Sequence, residues 1–269
     1  MSELERLCVV LVATRNPLNL GAAARAMSNF GFSCLRVVAP YEAAFREARS
    51  AVGASELLAS AQEYGSVAEA VADCALVVGT TAARHRQLVH PLLTLEQGAR
   101  LIRQELLRLQ QTQQRSRFAG PGTPEGHVAL LFGSEKRGLS NRDLSHCHWL
   151  LHMPTREEHA SMNLGQAVAV CLYELARASS APALPAVPTA AAGPALSAPK
   201  PNPASAAELE RITAALLEAL RASGYPHAQT AAAEEKVRRL VRRLDADAAD
   251  SETLLGMLRQ ILWKLGAGE

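Results

Sequence analysis

The chain has 269 residues, 48% of them hydrophobic and 20% charged, with a net charge of only +2. That is enough for one large domain or two modest ones, and so even a charge balance excludes recognition of nucleic acid by bulk charge alone. No window holds the ~20 uninterrupted apolar residues of a membrane span, and the acidic start Met1-Ser2-Glu3-Leu4-Glu5-Arg6 does not read as a signal peptide. The cysteines (Cys8, Cys34, Cys74, Cys147, Cys171) are odd in number and widely spaced. They read as reduced thiols of a cytoplasmic protein, not as a disulfide framework.

Leu7 to Val12 is an apolar run of strand length. Gly21 to Asn29 is helical and ends at Gly31, a suitable C-cap. Leu35 to Val38 is a second strand, stopped by Pro40, and Glu42 to Ala61 is Ala-rich helix with a break near Gly53. Val67 to Ala72 is a short helix and Ala75 to Gly79 a buried strand. Thr94 to Gln110 is a strong helix with Leu95, Ile102, Leu106 and Leu109 near one face. Gln111 to Gly126, polar and rich in Gly and Pro, reads as a loop. Val128 to Phe132 and Trp149 to Met153 are strands, and Asn163 to Arg177 is a helix. Strands alternating with helices predict an α/β fold with a parallel sheet covered on both faces.

Composition then changes. Ser179 to Ala204 is almost entirely Ala, Pro, Ser and Gly, which cannot build a core and reads as a linker. Beyond it, 205–269 reads as a small three-helix unit: Ser205 and Glu208 fit a capping box, and Leu209, Ile212, Leu216 and Leu220 form a stripe. Glu234 to Leu244 and Ser251 to Leu265 are its other helices. The expected organisation is a domain over 1–178, a linker over 179–204 and a helical domain over 205–269.

Polar residues gather at three strand-to-helix loops, where α/β sheets bind ligands. The first runs from Asn16 to Arg25, the second from Leu131 to Asn141 and the third from His159 to Gly165. In the first, Asn19 and Arg25 flank a helix start, which attracts anions; the plainer reading is that Asn19 caps the helix and Arg25 faces solvent. In the second, Gly133 lets a ligand approach the backbone and Glu135 can pair with an Arg or orient a sugar hydroxyl; the plainer reading is a turn with Ser140 as N-cap. In the third, Ser161 and Asn163 can hold a polar ligand or simply cap the next helix. There is no Gly-x-Gly-x-x-Gly after the first strand and no P-loop. His146-Cys147-His148, with His152 and His159 nearby, does not predict a metal: neighbours on a strand cannot all converge, and no Cys pair has ligand spacing.

Taken together and in order, the three loops resemble the motifs of the SpoU/TrmH class of SPOUT RNA methyltransferases. Motif one is Asn19-Leu20-Gly21-Ala22-Ala23-Ala24-Arg25, and motif two is Leu131-Phe132-Gly133-Ser134-Glu135-Lys136-Arg137-Gly138-Leu139. Motif three is Met153-Pro154 with Ser161-Met162-Asn163-Leu164. With Leu76-Val77-Val78-Gly79-Thr80-Thr81-Ala82-Ala83-Arg84 and a helical tail behind a linker, the chain is most similar to the TrmJ-type tRNA 2′-O-methyltransferases. The likeness spans residues 7 to 178 well and the tail in outline.

The resemblance implies a SPOUT fold with a deep C-terminal trefoil knot in the sheet domain, and a homodimer acting on tRNA in the cytoplasm with S-adenosyl-L-methionine as cofactor. It implies a cofactor pocket from Thr80, Thr81, Ala82, Gly133, Met153, Ala160, Ser161, Met162 and Leu164, and catalytic or substrate-positioning roles for Arg25, Asn19, Glu135, Ser161 and Asn163. Ala160 stands where TrmJ relatives usually have a serine. By family, the target is anticodon-loop nucleotide 32, a C or U. The alternatives are ribosomal RNA as substrate, a catalytically idle RNA-binding module of the same fold, and a small-molecule enzyme of flavodoxin-like type. A guanidinium is a poor base, so Arg25 is expected to clamp a phosphate and stabilise a developing alkoxide. RNA contacts are expected from Arg25 and Arg84, and from Arg238, Arg239, Arg242 and Arg243, placed toward solvent opposite Val237, Leu240, Val241 and Leu244. Against such a ridge, 205–269 carries 9 basic and 10 acidic residues, and a solvated face is the bland alternative.

Overall fold

The structure is a computed structural model that describes residues 3–50, 56–82, 89–116, 126–156, 161–180, 202–226 and 228–266. The strands are β1 (Leu7–Val12), β2 (Cys34–Val38), β3 (Gln62–Tyr64), β4 (Cys74–Thr81), β5 (Leu92–Thr94), β6 (His127–Phe132) and β7 (Trp149–His152). They form one sheet in the order β3-β2-β1-β6-β4-β7-β5, and every pairing is parallel. Parallel strands covered on both faces are apolar throughout rather than alternating. β1 meets that demand at each of its residues, all buried. The three-residue edge strands β3 and β5 are too short for a period to register in the sequence: 62–64 falls between the helices expected to end at Ala61 and begin at Val67, and 92–94 runs into the helix expected from Thr94.

The helices of the sheet domain are α1 (Pro17–Phe30), α2 (Glu42–Ser50), α3 (Glu56–Ala59), α4 (Val67–Ala70), α5 (Leu95–Ser116), α6 (Asn141–Leu144) and α7 (Leu164–Ser180). The expected loop from Gln111 begins instead with six more helical residues, to Ser116. The expected break near Gly53 lies outside the described residues, as does 181–201, nearly all of the expected linker; Ser179 and Ser180 end α7. Helix α1 begins four residues before the expected Gly21, because Asn16 caps it, accepting from the Leu18 N–H, and Pro17 fills the first turn. Gly31 closes it at φ +78°, as the sequence predicts.

Helices α1, α5 and α7 cover one face of the sheet, with Leu20, Met27, Ile102, Leu106, Val168 and Leu172 fully buried. Each such side chain contributes roughly 1.5–3 kcal/mol of hydrophobic stabilisation. α1 and α7 cross so closely that a Cβ on Gly165 would meet the Cβ of Ala22 at 2.6 Å. Small residues on both helices thereby bring their N-terminal ends together.

Cys8 and Cys34 stand opposite each other in the β1–β2 register, Cα atoms 4.6 Å apart, and form a disulfide. This corrects the expectation of five reduced thiols. Cys74, Cys147 and Cys171 are free and buried, and burial drives their thiol pKa values upward, to about 12 for Cys147 and Cys171.

The tail forms α8 (Ala206–Ala222), α9 (Ala231–Arg243) and α10 (Ala248–Gly266). The Ser205/Glu208 capping box is present. The three helices share a small core of Leu209, Ile212, Val241 and Leu255. The tail is docked on the sheet domain: the Ala207 N–H donates to the Ala72 carbonyl at 3.0 Å, and Ala206 joins the core around Val71, Val77 and Leu131.

Candidate active site

The three motif loops meet at one hydrogen-bonded junction. Asn19 lies inside α1, 7% exposed, and its Nδ2 donates to Glu135 Oε1 at 2.9 Å. Its Oδ1 accepts from Asn163 Nδ2, also at 2.9 Å. Asn163 Oδ1 in turn accepts from the Gly165 N–H at 2.9 Å, capping α7. Glu135 also receives the backbone N–H groups of Asn16 (3.2 Å) and Arg15 (3.4 Å). Burial raises the Glu135 carboxyl, but the donors, Asn19 foremost, outweigh it and leave the pKa below its ordinary value. The capping role considered for Asn19 belongs to Asn16, while Asn163 and Ser140 do cap their helices.

Beside this junction lies a cleft of about 310 Å³. Its wall brings together Thr80, Thr81 and Ala82 from the end of β4, Gly133 and Glu135 after β6, and Met153, Ser161, Met162 and Leu164 around the start of α7. Of the residues expected to hold a cofactor, Ala160 alone lies outside the described residues. The Thr80 hydroxyl is engaged in donating to the Leu131 carbonyl at 2.9 Å, so it ties β4 to β6.

Gly133 lines the cleft and also meets a second demand. A Cβ there would collide with the backbone of Gly138 and Leu139, so the glycine lets the 133–139 turn fold back on itself. The turn is closed by the Gly138 N–H donating to the Ser134 carbonyl at 2.8 Å, with Gly138 at φ +65°.

Arg25 is exposed on α1, six residues beyond Asn19, and makes no hydrogen bond or ion pair with another described residue. Arg84 lies outside the described residues. The expected ridge on α9 needs correction. Arg238 and Arg242 are each 4% exposed, held by Glu210, Ser145 and the His146 carbonyl, whereas Leu240 and Leu244 face solvent. The apolar stripe chose the wrong face because the surface receiving α9 offers a carboxylate and polar loop atoms. Arg239 is half-buried, with Glu235 3.7 Å away, and Arg243 alone of the four is exposed.

Sequence reasoning missed Leu144 and Ala167, which line the cleft from α6 and α7 and carry no local signal. It also missed the backbone of Arg15 and Asn16 as partners of Glu135, since contacts across 119 residues or more leave no periodicity. Among the described residues no group of His, Cys, Asp or Glu is arranged to hold a metal, and no helix is long and apolar enough to cross a membrane.

The model of the SpoU rRNA methylase family matches residues 6–173. The chain belongs to this family of RNA methyltransferases. Among relatives of this SpoU-family protein, the tRNA (cytidine/uridine/adenosine-2′-O-)-methyltransferase TrmJ of Pseudomonas aeruginosa is 37% identical over 173 residues, 64% of this chain and 61% of that one. The tRNA (cytidine/uridine-2′-O-)-methyltransferase TrmJ of Sodalis glossinidius is 32% identical over 263 residues, 96% of this chain and 92% of the relative. The crystal structure of TrmJ from Z. mobilis superposes with a TM-score of 0.71 at 30% identity, covering 94% of this chain and 98% of that one. That superposition supports the α/β fold with its helical tail.

Proposed function

We propose that this SpoU-family protein transfers a methyl group from S-adenosylmethionine to a ribose 2′-hydroxyl of tRNA, at the C or U of anticodon-loop position 32. The observation that carries the reading is the Glu135–Asn19–Asn163 junction, which fixes three separate loops beside one cleft. The relatives that bear tRNA 2′-O-methyltransferase names, matched along the tail as well as the sheet domain, support the substrate class.

The residues fit the cofactor. Met153, Leu144, Leu164 and Ala167 give the cleft apolar surface suited to the adenosyl group of a sulfonium cofactor, and Thr81, Ala82 and Gly133 to Glu135 line it beside them. When bound, S-adenosylmethionine supplies an electrophilic methyl on its sulfonium, so the chain's task is alignment of the ribose oxygen and management of one proton. Asn19 and Asn163 hold the junction rigid. Glu135 orders the 15–16 turn that leads into α1. Arg25 is free of described partners and clamps the adjacent phosphate, its charge stabilising the developing alkoxide. Ser161, exposed on the cleft wall, completes the substrate side.

The homodimer and the knotted crossing of the cofactor loops belong to the same proposal. Exposed apolar side chains on the two adjacent helices, Leu18 on α1 and Val170 and Tyr173 on α7, support an interface there. The exposed Arg243 and the half-buried Arg239 are the tail's candidates for tRNA contact; cytoplasmic location follows from the substrate. The family's description favours ribosomal RNA as the second reading. The test is mass mapping of 2′-O-methyl groups after incubation of purified protein and S-adenosylmethionine with unmodified tRNA or ribosomal RNA. A new 2′-O-methyl at nucleotide 32 is expected. Methylation of ribosomal RNA alone, or of neither, overturns the proposal.

A further inference from the structure

The seam between α9 and the loop after α6 is built from cations where an apolar contact would serve. Arg238 Nη1 donates to Ser145 Oγ at 3.2 Å, while its Nε and Nη2 fork onto Glu210 and its Nη2 also meets Glu234 at 2.7 Å. Arg242 Nε donates to the His146 carbonyl at 2.7 Å, and its Nη2 stands 3.7 Å from Glu210. Burial pulls the Arg242 guanidinium down to about 10, and Arg242 Nη1 is buried without a hydrogen-bond partner. Replacing buried ion pairs by apolar residues is often neutral or stabilising, so adhesion alone gives no reason for these arginines.

What they grip supplies one. Ser145 and His146 directly follow Leu144, and Leu139 and Leu144 line the cleft. Between those leucines stands α6, a single turn of four residues, which cannot hold its shape unaided. At its start the Ser140/Asp143 capping box fixes it. At its end Ser145 Oγ donates to the Arg142 carbonyl at 2.7 Å while accepting from Arg238, so the cation is linked to the turn through one hydroxyl.

We infer that Arg238 and Arg242 are positioning residues for the cofactor cleft, and that α9 braces its Leu139–Leu144 wall. Docking of the tail and occupancy of the cleft are then coupled, each favouring the other by the same factor. The inference rests on the proposal that the cleft takes S-adenosylmethionine.

The test is calorimetric titration of the full chain with S-adenosylhomocysteine, for wild type, Arg242→Met, Arg242→Lys and Ser145→Ala, each first shown folded by its melting curve. Arg242→Met is expected to bind roughly tenfold more weakly, within the usual range of coupled sites. Its KM for S-adenosylmethionine should rise by a similar factor with kcat nearly unchanged, and Arg242→Lys should recover part of the loss. Ser145→Ala leaves both arginines in place and should weaken binding in the same direction by a smaller factor, which carries the test if Arg242→Met does not fold. A Kd within about twofold of wild type in the folded variants overturns the bracing role alone. Failure of the wild type to bind overturns the reading of the cleft, and the inference with it.

Discussion

Asn19 is the hinge pin of the site: one side-chain amide donates to Glu135 and accepts from Asn163, at 2.9 Å on each side. Its two faces are chemically distinct, so a carboxylate of the same shape cannot replace it. Asn19→Asp would set a second negative charge against Glu135, with no N–H to offer. One proton shared between the carboxylates would raise an apparent pKa in the folded state. We expect at least a hundredfold loss of methyl transfer. Since the folded form now binds the proton more tightly than the unfolded chain, the lost stability should return as pH falls. Melting temperatures between pH 5 and 8 check this; a variant whose deficit is the same at both ends contradicts the shared proton.

Glu135 itself should behave oppositely. Its pKa is depressed by Asn19 and the backbone of Asn16 and Arg15, after burial has pushed it up. Its stabilisation is therefore present above the ordinary glutamate range and fades as pH drops below it. Glu135→Gln should remove that part of the acid-side slope and lower kcat, measured by urea denaturation against pH and by turnover.

At Gly133 the constraint is steric. A methyl group there would occupy the place of the Gly138–Leu139 backbone, which cannot yield as a side-chain tip could. Gly133→Ala should cost at least ~2 kcal/mol by overpacking, a drop of roughly 5 °C in melting temperature for a chain of this size. It should also abolish binding in the cleft that the same loop lines. Thermal melts and titration with S-adenosylhomocysteine read both effects.

Arg25 gives the opposite dissociation. It is exposed and has no described partner, so Arg25→Lys should leave the melting temperature and the cofactor Kd within error. The forked geometry needed for phosphate is lost, and turnover should fall at least tenfold. Unchanged turnover would remove Arg25 from the substrate side.

Away from the site, Arg36 and Asp73 form a two-pronged pair at 2.6 and 2.7 Å, with Arg36 buried in the sheet and also donating to the Ala70 carbonyl. Burial works against the Asp73 carboxylate, but Arg36 holds its pKa well below the usual range. Asp73→Asn leaves a buried guanidinium short of its counter-charge. The expected cost is ~2 kcal/mol, less than for a fully buried pair because the Asp73 side chain is 43% exposed. The difference from wild type should be full near neutral pH and shrink as pH falls below the carboxylate range, where the unfolded chain takes up a proton that the folded Asp73, still paired with Arg36, does not. Chemical denaturation at pH 3 and pH 7 checks the sign.

What the sequence determined by itself is the set of parts whose cause is local. Apolar runs bounded by turn residues gave β1, β2, β4, β6 and β7, because a strand covered on both faces has to be apolar along its length. Caps such as Ser140, Asn163 and Ser205 follow from side chains that satisfy nearby N–H groups. The ordered motifs pointed to the RNA methyltransferase class without help from geometry. Only the tertiary structure decided the rest. The strands β3 and β5 exist because neighbours offer them hydrogen bonds, and their three residues carry no period. The direction of Arg238 and Arg242 was set by Glu210 and by the Ser145–His146 loop, more than 90 residues away for the latter, and helical spacing cannot see a polar receiving surface. The pairing of Asn19 with Glu135 and Asn163 likewise spans more than 100 residues. It depends on α1 and α7 crossing at Ala22 and Gly165, where the absence of side-chain bulk lets three distant loops close on one point.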